Sequence, residues 1–192
     1  TDLTDACTDE AIVELCQKAK TPHGSVAAIC IWPQFVPQAS ELLAGSAIKI
    51  ATVTNFPAGD PDVAKAVAET ADAIAKGADE VDVVMPYQRF LRGDEQTAHT
   101  LNSECRAEIP TGKILKVILE TGLYRDADAM DRASRLAIEA GAHFIKTSTG
   151  KAAVAATEEA ATVMLKAIAE TDKNVRIKAT GGNRTTEDAS RY

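Results

Sequence analysis

Residues 77–87 read GADEVDVVMPY: a glycine suited to ending a helix, then an alternating run rich in β-formers. Successive side chains of a strand face opposite ways, so Val81, Val83 and Met85 share one face while Glu80, Asp82 and Val84 share the other. The first face suits packing against helices. The second puts carboxylates inside a strand, where charge is uncommon unless it is paired.

Runs of the same kind recur on both sides of this one: SVAAICIW at 25–32, IKIATVTNF at 48–56, ILKVILE at 114–120, HFIKTST at 143–149 and VRIKAT at 175–180. Most are separated by roughly the 30 residues of a βαβ unit. Helical patterns lie between them. Thr8 is predicted to cap a helix with inner face Ile12, Leu15, Cys16 and Ala19. Asp60 followed by Pro61 predicts a second start, with Val63, Val67 and Ile74 on one face and Gly77 as the stop. Another helix should end at Gly141, and Thr157 should open a last one with two glutamates in its first turn, where the helix dipole favours them. The alternation predicts one α/β domain over residues 1–192, either doubly wound or a (β/α)₈ TIM barrel. In both, chemistry belongs at the C-terminal ends of the strands.

Composition narrows the partners. Lysines and arginines are scattered and net charge is −7, so the basic stripe that a nucleic acid needs is missing. No apolar run reaches the roughly 20 residues of a membrane span, and the N-terminus carries no signal pattern, which predicts a cytoplasmic protein. Cys7, Cys16, Cys30 and Cys105 show neither pairing nor ligand spacing, so reduced thiols and no metal are expected. Aromatics make up only 4% of the chain, and the core must be aliphatic.

The parity argument extends to two more strands. Phe144, Lys146 and Ser148 share a face, as do Arg176, Lys178 and Thr180. If these faces line a barrel interior, Asp82, Lys146 and Lys178 converge at its mouth. Two lysines buried beside one carboxylate disfavour holding both as ammonium ions. A free amine attacks a carbonyl to form a Schiff base, and the protonated imine then accepts the electron pair of a breaking carbon–carbon bond. That is aldolase chemistry without a metal or cofactor, and Asp82 is the placed acid/base. Gly181 and Gly182, after Lys178 and before a threonine-capped helix start, offer bare N–H groups to an anion, which suggests a phosphorylated substrate. Glu120 and Lys116 fall on the inner parity of their strand and are read as a structural pair. Cys30 either lines the pocket or is a small buried hydrophobe, Trp32 is a packing or pocket-wall residue, and His23 and His143 are surface groups at strand entrances.

Six stretches together resemble the 2-deoxyribose-5-phosphate aldolase family: AAICIWP (27–33), IATVTNFPAG (50–59), GADEVDVVMPY (77–87), LKVILETG (115–122), FIKTSTGK (144–151) and IKATGGNRTTEDA (177–189). They occur in order along almost the whole chain. The resemblance implies a TIM barrel and a class I aldolase that reversibly cleaves 2-deoxy-D-ribose 5-phosphate to acetaldehyde and D-glyceraldehyde 3-phosphate. Its role would be in deoxyribonucleotide and carbohydrate catabolism. By the same resemblance Lys146 forms the Schiff base, Lys178 lowers its proton affinity and assists proton transfer, and Asp82 is the proton donor or acceptor. Thr149 and Lys151 would bind the substrate's hydroxyl and phosphate end, Gly181 and Gly182 its phosphate. Cys30 would line the pocket, and Asp2 would support the lysine pair. It also implies a homodimer or homotetramer, and a barrel truncated at both ends, without most of strand one and all of strand eight, leaving a seam that bears on activity. Two other readings stay open: another Schiff-base barrel lyase, or a phosphosugar-binding chain without catalysis.

Overall fold

The computed structural model describes residues 1–182 and 185–191. Its sheet has six parallel strands: β1 (Ala28–Ile31), β2 (Lys49–Thr54), β3 (Glu80–Val84), β4 (Ile114–Ile118), β5 (Phe144–Lys146) and β6 (Arg176–Lys178). Each pairs with the next in sequence, and the order never reverses. A doubly wound sheet needs a reversal point, whereas a barrel adds every strand beside its predecessor. The topology therefore resolves the two sequence-level alternatives in favour of the barrel type, and the sheet is curled. Asp2 adds an isolated parallel bridge to Ile31 outside β1, where the sequence predicts a remnant of a first strand. Among the described residues the ring does not close. At the free edge of β6, Ile177, Ala179 and the exposed Leu165 border a cavity of about 280 Å³.

Among the described residues, eight α-helices accompany the strands: α1 (Asp9–Lys18), α2 (Val36–Leu42), α3 (Val63–Ala75), α4 (Tyr87–Leu91), α5 (Glu95–Ala107), α6 (Ala127–Glu139), α7 (Glu158–Ala169) and α8 (Thr186–Ala189). Thr8 and Thr157 cap α1 and α7 as predicted, each accepting from a backbone N–H three residues on. The start of α3 differs from the expectation. Asp62, not Asp60, is the N-cap and accepts from the Lys65 N–H. Asp60 instead sits in the turn that Asn55 organises, its N–H donating to Asn55 Oδ1 and its carbonyl accepting from Asn55 Nδ2. Gly77 (φ +103°) and Gly141 (φ +93°) follow their helices in the left-handed region that glycine tolerates.

The two faces of the sheet are buried differently. Val81, Val83, Leu115, Val117 and Ile145 pack outward with the helices in a large aliphatic core. A second, small cluster of Leu3, Cys30, Ala51 and Val53, with Trp32 and Phe56 against it, occupies the other face. The charged side chains of β3 to β5 lie on that second face.

Asn55, just past β2, adopts a left-handed backbone (φ 53°) and is held from both ends of its amide. Its Nδ2 also donates to the Val84 carbonyl at 2.9 Å, and its N–H donates to Glu69. An Asn55→Ala variant is expected to lose about 2–4 kcal/mol, because buried partners are left unmet and alanine resists this backbone. Asn55→Gly should lose less, having lost only the bonds; urea unfolding of the two variants checks the ordering.

Candidate active site

Strand register builds the site in layers. Asp82 on β3 lies level with Lys116 on β4. Lys146 on β5 lies level with Ile118 on β4 and Lys178 on β6, one inward-facing row nearer the C-terminal ends. Glu80 is one such row below Asp82. The alternation thus stacks a carboxylate, a carboxylate–ammonium pair and two amines along one side of the barrel.

Side chains make the contacts this stacking allows. Lys146 Nζ donates to Asp82 Oδ2 at 2.6 Å, and Lys116 Nζ donates to Asp82 Oδ1 at 2.5 Å. Lys116 also meets Glu80 Oε2 at 2.6 Å. Asp82, Lys116 and Lys146 are 0%, 2% and 3% exposed, so these are desolvated ion pairs and not surface bridges. Burial by itself would raise the Asp82 pKa, but Lys146, Lys116 and Lys178 outweigh it and bring the carboxyl down to about 2. Burial also opposes the charge of Lys116, and there Asp82 and Glu80 prevail, holding its pKa above the ordinary lysine value. Lys178 is less enclosed. Its pKa is lowered, first by burial and then by the ammonium groups of Lys116 and Lys146, against the pull of Asp82. One amine of the cluster is therefore biased towards its neutral form.

The hydroxyl run after β5 has definite partners. Thr147 Oγ1 accepts from the Thr180 N–H at 2.9 Å, and Ser148 Oγ donates to the Thr180 carbonyl at 2.5 Å, tying the β5 end to the segment after β6. Thr149 Oγ1 donates to Glu120 Oε2 at 2.6 Å. Glu120 corrects the structural pairing read from parity: it has left β4 in a left-handed conformation (φ 59°) and turns to Thr149, while Lys116 is taken by Asp82 and Glu80. Strand parity holds only as long as the strand does.

The other candidates read from the sequence lie around this cluster, with the Asp2 N–H donating to the Cys30 carbonyl at 3.0 Å and Leu3 packed against Cys30. Cys30 is buried on the inner face, and burial followed by the nearby Asp82 raises its thiol pKa. Asp2 Oδ1 accepts from the Thr4 N–H and hydroxyl at 3.0 and 2.7 Å, so its carboxylate serves the N-terminal turn. Lys151 Nζ donates to the Leu3 carbonyl at 2.6 Å. Gly181 (φ +90°) packs so closely that a Cβ there would stand 2.5 Å from Ala155 Cβ, whereas Gly182 (φ +83°) faces open space. Asn183 and Arg184 of the same motif lie outside the described residues, as does Tyr192. Trp32 donates its indole N–H to the Thr4 carbonyl and meets Phe56 edge-on, in keeping with a wall residue. His23 is exposed, but His143 is half-buried and accepts from the Leu115 N–H at 2.9 Å. A cavity of about 520 Å³ between Phe90, Leu123 and Arg132 lies on the helical exterior; the buried charge, not cavity volume, marks this site.

A curled parallel sheet with desolvated carboxylates and amines on its inner face defines an α/β-barrel enzyme. The chain belongs to the DeoC/LacD aldolase family, whose signature matches residues 2–191. It is 51% identical over 193 aligned positions to a deoxyribose-phosphate aldolase of Agrobacterium fabrum (strain C58 / ATCC 33970), covering 100% of this chain and 74% of that one. A crystal structure from Coccidioides immitis, assigned as a deoxyribose-phosphate aldolase, superposes with a TM-score of 0.93 at 31% identity, over 99% of this chain and 74% of that one. A deoxyribose phosphate aldolase from Aeropyrum pernix, described as tetrameric, shares the fold at 23% identity with a TM-score of 0.81, over 98% of this chain and 77% of that one.

Proposed function

We propose that the chain is a class I aldolase that cleaves 2-deoxy-D-ribose 5-phosphate reversibly to acetaldehyde and D-glyceraldehyde 3-phosphate through a Schiff base on Lys146. Residues 1–192 act as one catalytic unit in this reading. The observation that carries it is the buried contact of Lys146 with Asp82, one strand away from an amine with lowered proton affinity. It is supported by the 51% identical deoxyribose-phosphate aldolase relative.

The steps follow from the groups present. Lys146 gives up a proton, with Lys178 as the acceptor, and its amine adds to C1 of the open-chain sugar; loss of water leaves a protonated imine. The C3 hydroxyl then loses its proton to the Asp82 carboxylate through the site's proton network. The C2–C3 bond breaks, its electron pair enters the imine, and glyceraldehyde 3-phosphate departs. The proton now on Asp82 returns through the same network to C2 of the enamine, restoring the carboxylate, and water hydrolyses the resulting imine to acetaldehyde and the free amine. Asp82, with a pKa of about 2, enters this cycle as a carboxylate and so as the base. Thr149, Lys151 and the backbone of Gly181 and Gly182 hold the polar and phosphate end, with Cys30 on the inner wall and Asp2 in the segment beside β1.

Sodium borohydride with acetaldehyde tests this reading. A two-carbon unit is expected on the peptide carrying Lys146, together with glyceraldehyde 3-phosphate formed from deoxyribose 5-phosphate in a coupled assay. An unmodified Lys146 and an inert sugar phosphate would instead favour phosphosugar binding without catalysis. The phosphate assignment has its own test. Gly181→Ala should raise KM for deoxyribose 5-phosphate about tenfold or more, because its Cβ displaces the loop against Ala155, while unphosphorylated deoxyribose is affected far less. Gly182→Ala, which meets only backbone strain, should show a smaller effect. No described helix is long and apolar enough to cross a membrane. The working form is proposed as a cytoplasmic homodimer or homotetramer acting in deoxyribonucleotide and carbohydrate catabolism.

A further inference from the structure

The aldolase reading uses Asp82, Lys146 and Lys178, yet the most constrained ammonium in the cluster belongs to none of them. We infer that Lys116, clamped between Glu80 and Asp82, is a positioning residue that fixes the orientation of Asp82 and sets the charge against which Lys146 and Lys178 share their protons. This rests on the Schiff-base reading of the same site and extends it to two residues that reading leaves idle.

Geometry carries the inference. Lys116 is level with Asp82 and occupies Oδ1, which leaves Oδ2 to Lys146. The two ammonium groups pin the carboxylate from both sides, so it cannot rotate without breaking a desolvated ion pair. Lys116 is 2% exposed and sits one inward row below the amines, away from the C-terminal mouth where a substrate enters. It therefore acts through Asp82 and not on the substrate. Glu80, at 2.6 Å, is what makes such a buried lysine tenable.

The charge count gives the pair its second role. Among the described residues, the ionisable groups facing the amines are Glu80 and Asp82 from β3, Lys116 from β4, Lys146 from β5, Lys178 from β6 and the Cys30 thiol from β1. Between Glu80 and Asp82 and the three lysines, full protonation leaves one uncompensated positive charge in a desolvated site. Releasing a single proton from Lys146 or Lys178 brings the cluster to neutrality. Lys116 is the fixed cation in that balance, in line with the lowered pKa of Lys178.

Two substitutions of opposite sign test it. Lys116→Met removes a positive charge, so the amines hold their protons more tightly, and the acid limb of kcat/KM should move up by about one pH unit. Glu80→Gln keeps the volume but removes a negative charge, leaves Lys116 paired to Asp82, and should move the limb down by a similar amount. The double variant should return close to the wild-type midpoint. A residue that served packing alone would lower the rate or the melting temperature without moving the limb in opposite directions. If Lys116→Met does not fold, the downward shift in Glu80→Gln decides. Borohydride trapping of wild-type Lys146 with acetaldehyde runs alongside: no adduct would remove the aldolase reading itself, whereas an adduct with unmoved or like-signed limbs would overturn the role given to Lys116 and Glu80.

Discussion

A Lys146→Met variant is expected to lose retro-aldol turnover by on the order of 10⁴-fold, as removal of a covalent nucleophile does when the rest of the site remains. Its borohydride adduct with acetaldehyde should vanish as well. The fold should survive. Methionine matches most of the length of the lysine stem, and Asp82 keeps Lys116 as a counter-ion when Lys146 Nζ is gone. Stability close to wild type, or slightly above it, is the expected result in thermal melts, since one desolvated ammonium has been removed. Turnover within a few-fold of wild type from this variant would show that another amine carries the chemistry, with Lys178 the first to examine.

Asp82→Asn should behave in the opposite way, because it strands the buried Lys146 ammonium and leaves Lys116 with Glu80 alone. Lys116 and Lys146 each approach a separate oxygen of Asp82, so an amide nitrogen must face one of them whichever way it turns. The expected loss is about 3–5 kcal/mol, the scale for removing one side of a buried ion pair, and for a domain of this size a fall in Tm on the order of 10 °C. The effect carries a pH signature. The Asp82 carboxyl falls from an ordinary value of 3.8 to about 2 on folding, so its contribution is present above about pH 4 and is lost as pH drops through about 2. The stability gap between wild type and Asp82→Asn should therefore narrow across that window and stay constant above it. Activity should fall along with stability, since the proposed base and the partner of Lys146 are one group.

These two residues were legible before any coordinates because charge inside a strand is conspicuous and alternation says which way it points. The same rule placed Lys178 and ordered the βα units. It failed where the chain stops being a strand. Glu120 carries the inner parity on paper, but its left-handed backbone aims it at Thr149. The partner of Lys116 escapes parity for a related reason: parity fixes the face, whereas register between neighbouring strands fixes who stands opposite, and register is a pairing property that one strand's sequence does not hold. Asp60 and Asp62 competed for one helix start, and Asn55, five residues earlier, settled it by engaging Asp60. The ties of Lys151 and Asp2 to the N-terminal segment depend on how distant ends of the chain are laid together, which no local pattern records.

The unreversed strand order also governs how charge is sealed as the chain collapses. Each strand finds its neighbour one βα unit away, so every closure spans a similar short loop and carries a similar modest entropic cost. β3 brings both carboxylates, and β4, β5 and β6 then bring one ammonium apiece. Assembly in that direction lets each incoming lysine meet an anion already waiting, and only Lys178, at the sheet's open edge and still partly wetted, arrives as surplus. Lys178, on the last strand, is also the least enclosed of the three lysines, so a chain that assembles from β3 to β6 need not dehydrate a lone charge to build the cluster.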